Sequence, residues 1–183
     1  MGATEDENED LLLACRYSDI DDVRQFVETH GKGSLDLVRD GSGNSVLHMV
    51  AGNGHLDILD YLLPLVSPSL LSVQNSSGST ALHWAAINSQ LAVAQKLIQH
   101  PGGPGGRLID IKNATGRSPL AEAEMAGWDE GAKYMVQVMN IDETEAVEEE
   151  GENIGDSVRD VEIEIQDADG QVAKMRIGNG AES

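Results

Sequence analysis

The sequence GNSVLHMVAGNGHLDILDYLL at residues 43–63 decides the fold, because it returns as GSTALHWAAINSQLAVAQKLI at residues 78–98. A shorter copy, GRSPLA, begins at residue 116, so the leading glycines lie 35 and then 38 residues apart. A unit of this length that recurs along a chain is typical of a repeat architecture, in which neighbouring units stack and share a core. The sequence therefore predicts a solenoid of stacked units.

Each copy has the features of a tight turn followed by two helices. The leading glycine supplies the positive φ that a tight turn needs, and a Ser or Thr two residues later is a typical helix cap. A proline suits the first helical turn because its missing N–H is not needed there. Glycines further on predict left-handed helix ends, and leucine-rich spacing predicts the second helix. The residues with these structural roles are Gly43, Gly54, Gly78, Thr80, Gly116, Pro119 and Gly127.

Residues 43–63 and 78–98 resemble the ankyrin-repeat family, in which turn, cap, helix and helix follow in this order. Residues 113–136 resemble a degraded copy, which suits a terminal repeat with one face towards water. At the other end, Ala14 and Cys15 fit two small-residue positions of the family, so residues 10–28 resemble a first repeat without its turn. The resemblance implies an all-α solenoid of about four ankyrin repeats with degenerate terminal caps.

The predicted organisation has an acidic segment at 1–10 and a repeat domain at 11–140, followed by a non-repeating tail. The four repeats are expected at about 11–38, 39–73, 74–111 and 112–140. The tail divides into an acidic, disordered linker at 141–157, a β-hairpin at 158–178 and a last stretch at 179–183.

The hairpin is predicted from two runs of alternating apolar and charged residues around the loop Ala168-Asp169-Gly170. Opposite charges then share one face and apolar side chains the other, and Gly170 takes the loop position that favours a left-handed residue. The expected pairs are Glu164 with Lys174, Glu162 with Arg176, Ile163 with Met175 and Val161 with Ile177.

His48 and His83 occupy the same position in two repeats, and this position allows two interpretations. To bind a metal they would need further ligands, because one zinc site takes three or four ligands and no third ligand recurs near them. The family resemblance implies that they hydrogen-bond neighbouring turns instead. We therefore assign both a structural role, and we expect no catalytic residue, no metal and no cofactor.

Trp84 follows His83 on the first helix of the central repeat. The resemblance implies that these inner helices line a concave side, where an exposed tryptophan is a frequent binding hot spot. The alternative is that Trp84 packs between repeats. The same register supplies apolar and amide side chains that suit a helix lying in a groove. The predicted partner-binding residues are Met49, Gly52, Asn53, Ser79, Trp84, Ile87, Asn88 and Met125.

The charge of the chain restricts its partners. There are 32 acidic and 12 basic residues, a formal net charge of −20, and acids concentrate at both ends. Such a field repels phosphate backbones, so we expect no direct nucleic-acid binding and favour a basic protein as partner. A single cysteine, no apolar run of bilayer length and no secretory signal predict a soluble intracellular protein off membranes. We expect it in the cytoplasm and nucleus, and monomeric when free.

Several features together resemble a narrower family. The acidic opening before a leucine run, the connector VSPSLLS at 66–72, the stretch TALHWA at 80–85 and the acidic end resemble the fungal ankyrin-repeat chaperones dedicated to ribosomal protein S-three of the small subunit. That resemblance implies a non-enzymatic chaperone that holds a newly made basic ribosomal protein soluble and escorts it to assembly. A generic ankyrin adaptor or inhibitor with a non-ribosomal partner is the alternative.

Overall fold

The computed structural model of the chain describes residues 2–139, 162–166 and 172–176. These residues fall into two units, residues 1–143 and 144–183. The described part of the first unit is helical. Its helices are α1 (Glu5–Tyr17), α2 (Ile20–His30), α3 (Val46–Asn53), α4 (Leu56–Leu62), α5 (Ala81–Ile87), α6 (Leu91–Ile98), α7 (Pro119–Met125) and α8 at 129–139.

The helices stack as four pairs. The first helices of the pairs touch in the order α1, α3, α5, α7, and the second helices α2, α4 and α6 touch in the same sequence. A leucine recurs at one position of the first helices and is buried each time, as Leu11, Leu47 and Leu82. Burying one apolar face of each pair against the next gives the stack its continuous core. The predicted four-repeat solenoid is thereby confirmed.

Helix starts follow the predicted caps. Ser45 and Thr80 form capping boxes at the starts of α3 and α5, and the Oγ of Ser118 accepts the Ala121 N–H at 3.2 Å. At the other end, α3 stops at Gly54, which takes a left-handed φ of 79°. Ser89 takes the same conformation after α5 with φ 56°, a strain that glycine would avoid.

The first repeat begins earlier than the sequence pattern predicts. Helix α1 starts at Glu5, so the boundary predicted at residue 11 falls inside it. Thr4 and Glu7 form a capping box, and Glu5 and Asp6 lie in the first turn. Acidic side chains are favourable there because they face the positive end of the helix dipole. The acidic opening thus belongs largely to the first repeat.

The connectors account for the extra length of the repeats. Short 3₁₀ helices cover Lys32–Ser34, Pro68–Ser72 and Gly105–Asp110. The last two bury four apolar side chains: Leu70, Leu71, Leu108 and Ile109. The connectors therefore extend the core. None of the helices in the described ranges is long and apolar enough to cross a membrane.

The second unit contains two strands, β1 (Glu162–Gln166) and β2 (Val172–Arg176), paired antiparallel. Glu162 lies opposite Arg176, Ile163 opposite Met175 and Glu164 opposite Lys174, which is the register that the alternating pattern predicts. The expected pair Val161–Ile177, the loop 168–170, the linker 141–157 and the stretch 179–183 lie outside the described residues.

Candidate functional site

A row of linked turns forms one edge of the stack. Each turn is closed by one oxygen of an Asp or Asn side chain that accepts the N–H groups two and four residues later, at 2.8–3.0 Å. These residues are Asp40, Asn75 and Asn113. They recur at the spacing of the glycines, so the same short sequence builds the same turn in three repeats.

Neighbouring turns bond to one another. The Ser76 N–H donates to the Ser42 carbonyl and the Ala114 N–H to the Ser77 carbonyl, both at 2.9 Å. The backbones come so close that a Cβ on Gly78 would lie 2.7 Å from the Ala114 nitrogen. Gly78 is therefore required for its positive φ of 70° and for the close approach of the next turn.

The ring of His48 joins its own helix cap to the following repeat. Its Nδ1 lies 3.1 Å from the Ser45 nitrogen, and its Nε2 lies 2.8 Å from the Ser79 carbonyl oxygen. A backbone N–H only donates and a carbonyl only accepts, so Nδ1 is the acceptor and Nε2 carries the proton. The geometry selects the neutral Nε2–H form of the imidazole.

His83 repeats this arrangement one unit later, between the Thr80 N–H and the Arg117 carbonyl at 3.0 and 3.1 Å. Burial lowers the pKa of both histidines below the usual value, because it disfavours the charged ring. All four ring nitrogens are engaged in these contacts. The histidines therefore act as links between repeats and offer no lone pair to a metal.

Trp84 lies half-buried on α5 and touches the preceding repeat. Its ring meets the His48 ring edge-on, with centroids 5.9 Å apart and planes at 88°. A Cβ on Gly52 would lie 2.6 Å from the indole Cε3, so Gly52 leaves the space in which the indole sits. One side of Trp84 thus packs between repeats while the other remains accessible, which combines the two interpretations of this residue.

Residues in the Trp84 register form a surface that we call the inner-helix face. Ile87 and Met125 are 47% and 68% exposed, although both are large apolar side chains. Asn53 and Asn88 are exposed beside them, and each donates its side-chain amide to the carbonyl four residues back. The inner-helix face consists of Leu13, Arg16, Tyr17, Met49, Gly52, Asn53, Trp84, Ile87, Asn88 and Met125.

The three members from α1 are not among the partner-binding residues predicted from the sequence. Leu13 and Tyr17 are 48% and 71% exposed, and Arg16 is also exposed. The signal was present, because aligning Ala14 and Cys15 with the two small-residue positions puts Leu13 in register with Trp84. Four of the six exposed large apolar side chains among the described residues belong to the inner-helix face.

Two predicted partner-binding residues lie deeper than expected. Ser79 is buried, and its carbonyl accepts from the His48 ring, so it is a turn residue and not part of the accessible face. Met49 is 8% exposed. It lines the floor of a cleft of about 230 Å³ between α1 and α3, whose other residues include Leu13, Arg16 and Asp40.

In the fourth repeat, a carboxylate stands at the position that Trp84 occupies in the third repeat. Glu122 occupies the position of Trp84, is buried, and accepts from Asn113 Nδ2 at 2.8 Å. The Arg117 guanidinium lies 3.6 Å from its second oxygen and also donates to the Met125 sulfur at 3.1 Å. Ala121 takes the histidine position here, and the described residues contain no further turn of this kind that a histidine could reach.

A family model of ankyrin repeats in three copies matches residues 11–108, and the chain belongs to the ankyrin-repeat family. Among curated relatives it is similar to the ankyrin repeat-containing protein P16F5.05c of Schizosaccharomyces pombe. The two are 33% identical over 118 residues, which cover 64% of this chain and 75% of the relative.

Among solved structures the chain is similar to a chain in the crystal structure of the yeast ribosomal protein Rps3 in complex with its chaperone Yar1. The TM-score is 0.68 at 27% identity, over 74% of this chain and 94% of that chain. The fold is therefore a protein-interaction fold that resembles the chaperone of that complex.

Proposed function

We propose that this protein is a chaperone that binds a newly made, basic ribosomal protein, namely small-subunit ribosomal protein S-three, through the inner-helix face. The observation that carries the proposal is the accessible apolar surface of that face, formed by Leu13, Tyr17, Trp84, Ile87 and Met125. Apolar residues that stay exposed together on a soluble domain mark an interaction surface. The similarity to a chain of the Rps3–Yar1 complex supports this choice of partner.

The mechanism follows from burial and charge. A helix of the partner lies along the inner helices with its apolar side chains against Trp84 and in the cleft beside Met49. Asp40 borders that cleft. Burial raises the pKa of its carboxyl group, but hydrogen bonds from Asn44 and Ser42 have the larger combined effect and lower the pKa, so the side chain carries a negative charge at the cleft. A net charge of −20 attracts basic surface that RNA will later cover. Release then needs competition from RNA and no nucleotide, and the protein works in both cytoplasm and nucleus.

The test is the affinity for purified ribosomal protein S-three, measured by calorimetry for the parent protein and two variants. Trp84→Ala should weaken binding by about 2 kcal/mol, roughly thirtyfold, if the accessible side of the indole is a hot spot. The control is Leu37→Ala, which removes a side chain that is 80% exposed but lies in a connector. It should leave the affinity unchanged.

Thermal unfolding of the same variants separates the outcomes. If the Trp84→Ala protein unfolds at lower temperature but binds normally, Trp84 packs between repeats and does not contribute to binding. If the parent protein fails to bind ribosomal protein S-three, and capture from lysate yields an acidic, non-ribosomal protein, the chaperone proposal is wrong and the generic adaptor is correct. A working chaperone should also reduce the light scattering that RNA induces in free ribosomal protein S-three.

A further inference from the structure

A groove of about 600 Å³ lies between α1 and α2 of the first repeat. All of its lining residues come from these two helices or the turn between them, so among the described residues no other repeat contributes to it. We call it the end groove; it shares only Leu13 and Tyr17 with the inner-helix face.

The end groove has an apolar floor between acidic walls. Leu11, Ala14 and Phe26 form the floor. Asp10 stands on the α1 wall and Asp22 on the α2 wall, and both are exposed. Glu7 and Asp19 add two carboxylates, and the described part of the chain contributes no Lys or Arg to the lining. His30 is the one basic side chain among these described lining residues, and its Nε2 lies 3.4 Å from Glu7.

We propose that the end groove binds a basic amphipathic helix of the partner, as a second contact beside the inner-helix face. Helix α1 has 13 residues and is about 20 Å long, so it can support three to four turns of a helix laid against it. The apolar stripe of that helix would cover the floor. Lysine or arginine on both sides of the stripe would reach Asp10 and Asp22. The inference rests on the proposed function in so far as the partner is the same basic protein.

Charge repulsion disfavours two other occupants of the end groove, a second copy of this chain and the acidic residues 141–157. A second copy would bring its own four carboxylates against this set, and like charges at an interface disfavour association. Residues 141–157 of the same chain are strongly acidic and meet the same repulsion. A basic helix is the occupant for which both the floor and the walls are complementary.

The probe for the test is a fluorescein-labelled peptide of about 16 residues with a leucine stripe flanked by lysines, which forms about four helical turns. Its affinity is measured by fluorescence anisotropy at low salt for the full chain. The variant Asp10→Asn/Asp22→Asn removes one carboxylate from each wall. Neither side chain makes a hydrogen bond or ion pair within the described residues, so the fold should be kept. Asp129→Asn/Glu130→Gln removes two exposed charges from α8, in the last repeat.

The peptide should bind the parent protein saturably, and Asp10→Asn/Asp22→Asn should weaken it about fivefold. The α8 variant and Trp84→Ala should bind it as the parent does, and amide NMR shifts should concentrate at residues 7–30. Absence of saturable binding, equal losses in both charge variants, or tight binding of a peptide with glutamate in place of lysine would each overturn the inference. The proposed function is tested separately, because Trp84→Ala affects binding of ribosomal protein S-three and not of this peptide.

Discussion

His48 and His83 show how one residue type connects local sequence to tertiary structure. Each ring satisfies the N–H of its own helix cap and a carbonyl of the next repeat. Removing a buried partner leaves such groups without a hydrogen bond, which costs about 1–3 kcal/mol for each group. The histidines are therefore part of the repeat interfaces, and their protonation state matters for stability.

We expect acid to destabilise the fold through these two rings. Burial lowers the pKa values of both histidines in the folded state. Below about pH 6.5 these histidines therefore bind more protons in the unfolded chain than in the folded chain, and acid favours unfolding. The free energy of unfolding should fall between pH 7 and 5.5, a window in which the carboxylates of Glu7 and Asp40, whose pKa values are lowered, stay ionised. Urea denaturation at several pH values measures this. His48→Gln should have a lower free energy of unfolding at pH 7, and this free energy should depend less steeply on pH. An identical slope would mean that His48 does not contribute to the pH dependence of stability.

Gly52→Ala should disturb Trp84. An added methyl group would lie 2.6 Å from the indole Cε3, so the ring has to leave its place. The expected loss is about 1–2 kcal/mol of unfolding free energy, after the gain of up to about 1 kcal/mol that alanine gives a helix. Near-ultraviolet circular dichroism reports the displaced indole. Gly41→Ala is the control, because no atom lies within 4 Å of its added Cβ. Higher stability with an unchanged spectrum would contradict the packing described for Trp84.

At the scale of elements, the turns hold the helix pairs in register. Each turn bonds to the next through its backbone, and Asn75 Nδ2 donates to Asn44 Oδ1 at 2.7 Å. Two kinds of constraint meet in the glycines of these turns. One is the positive φ, which is local, and the other is the approach of the next turn, which is tertiary.

Two glycine variants separate these constraints. Gly78→Ala should cost the strain of a left-handed alanine, about 1 kcal/mol, and a further clash with the Ala114 backbone. Gly116→Ala should cost the strain alone, since its φ is 77° but nothing lies within 4 Å of its added Cβ. Urea denaturation should rank Gly78→Ala as the less stable by at least about 1 kcal/mol. Equal losses would mean that the approach of the turns carries no cost.

At the scale of the whole molecule, we expect apolar surface and charge to act on different steps of the proposed binding. The apolar inner-helix face would leave water only in the proposed complex, so we expect it to govern dissociation. The net charge of −20 acts over distance and should speed the encounter with a basic partner. These contributions can be measured separately because salt screens only the second one strongly.

Association with ribosomal protein S-three should therefore depend on ionic strength. We expect the association rate constant to fall about tenfold between low and moderate salt, while the dissociation rate constant changes little. Surface plasmon resonance over a salt series measures both. Trp84→Ala should raise the dissociation rate constant and leave the salt dependence of association unchanged. An association rate that is flat across the series would show that the acidic residues do not steer the partner.

The sequence by itself determined the repeat, its turns and its caps, and it determined the pairing of Glu162–Gln166 with Val172–Arg176. These features depend on interactions within a few residues: a φ that glycine adopts, a hydroxyl that caps a helix, and an alternation that fixes register. Because the sequence is periodic, the same turn and cap then form in three repeats. The same reasoning identified Ile87, Asn88 and Met125 as exposed members of one face.

Only the tertiary structure decided which residues of that register are accessible. Ser79 is buried at a turn where its carbonyl accepts from the His48 ring of the preceding repeat, and Trp84 is half-buried because Gly52 of that repeat leaves space for its ring. The end groove likewise depends on packing, because its lining comes from two helices, α1 and α2, that lie against each other. Accessibility is a property of what packs alongside, which comes from residues about 35 positions away, and no local pattern contains it.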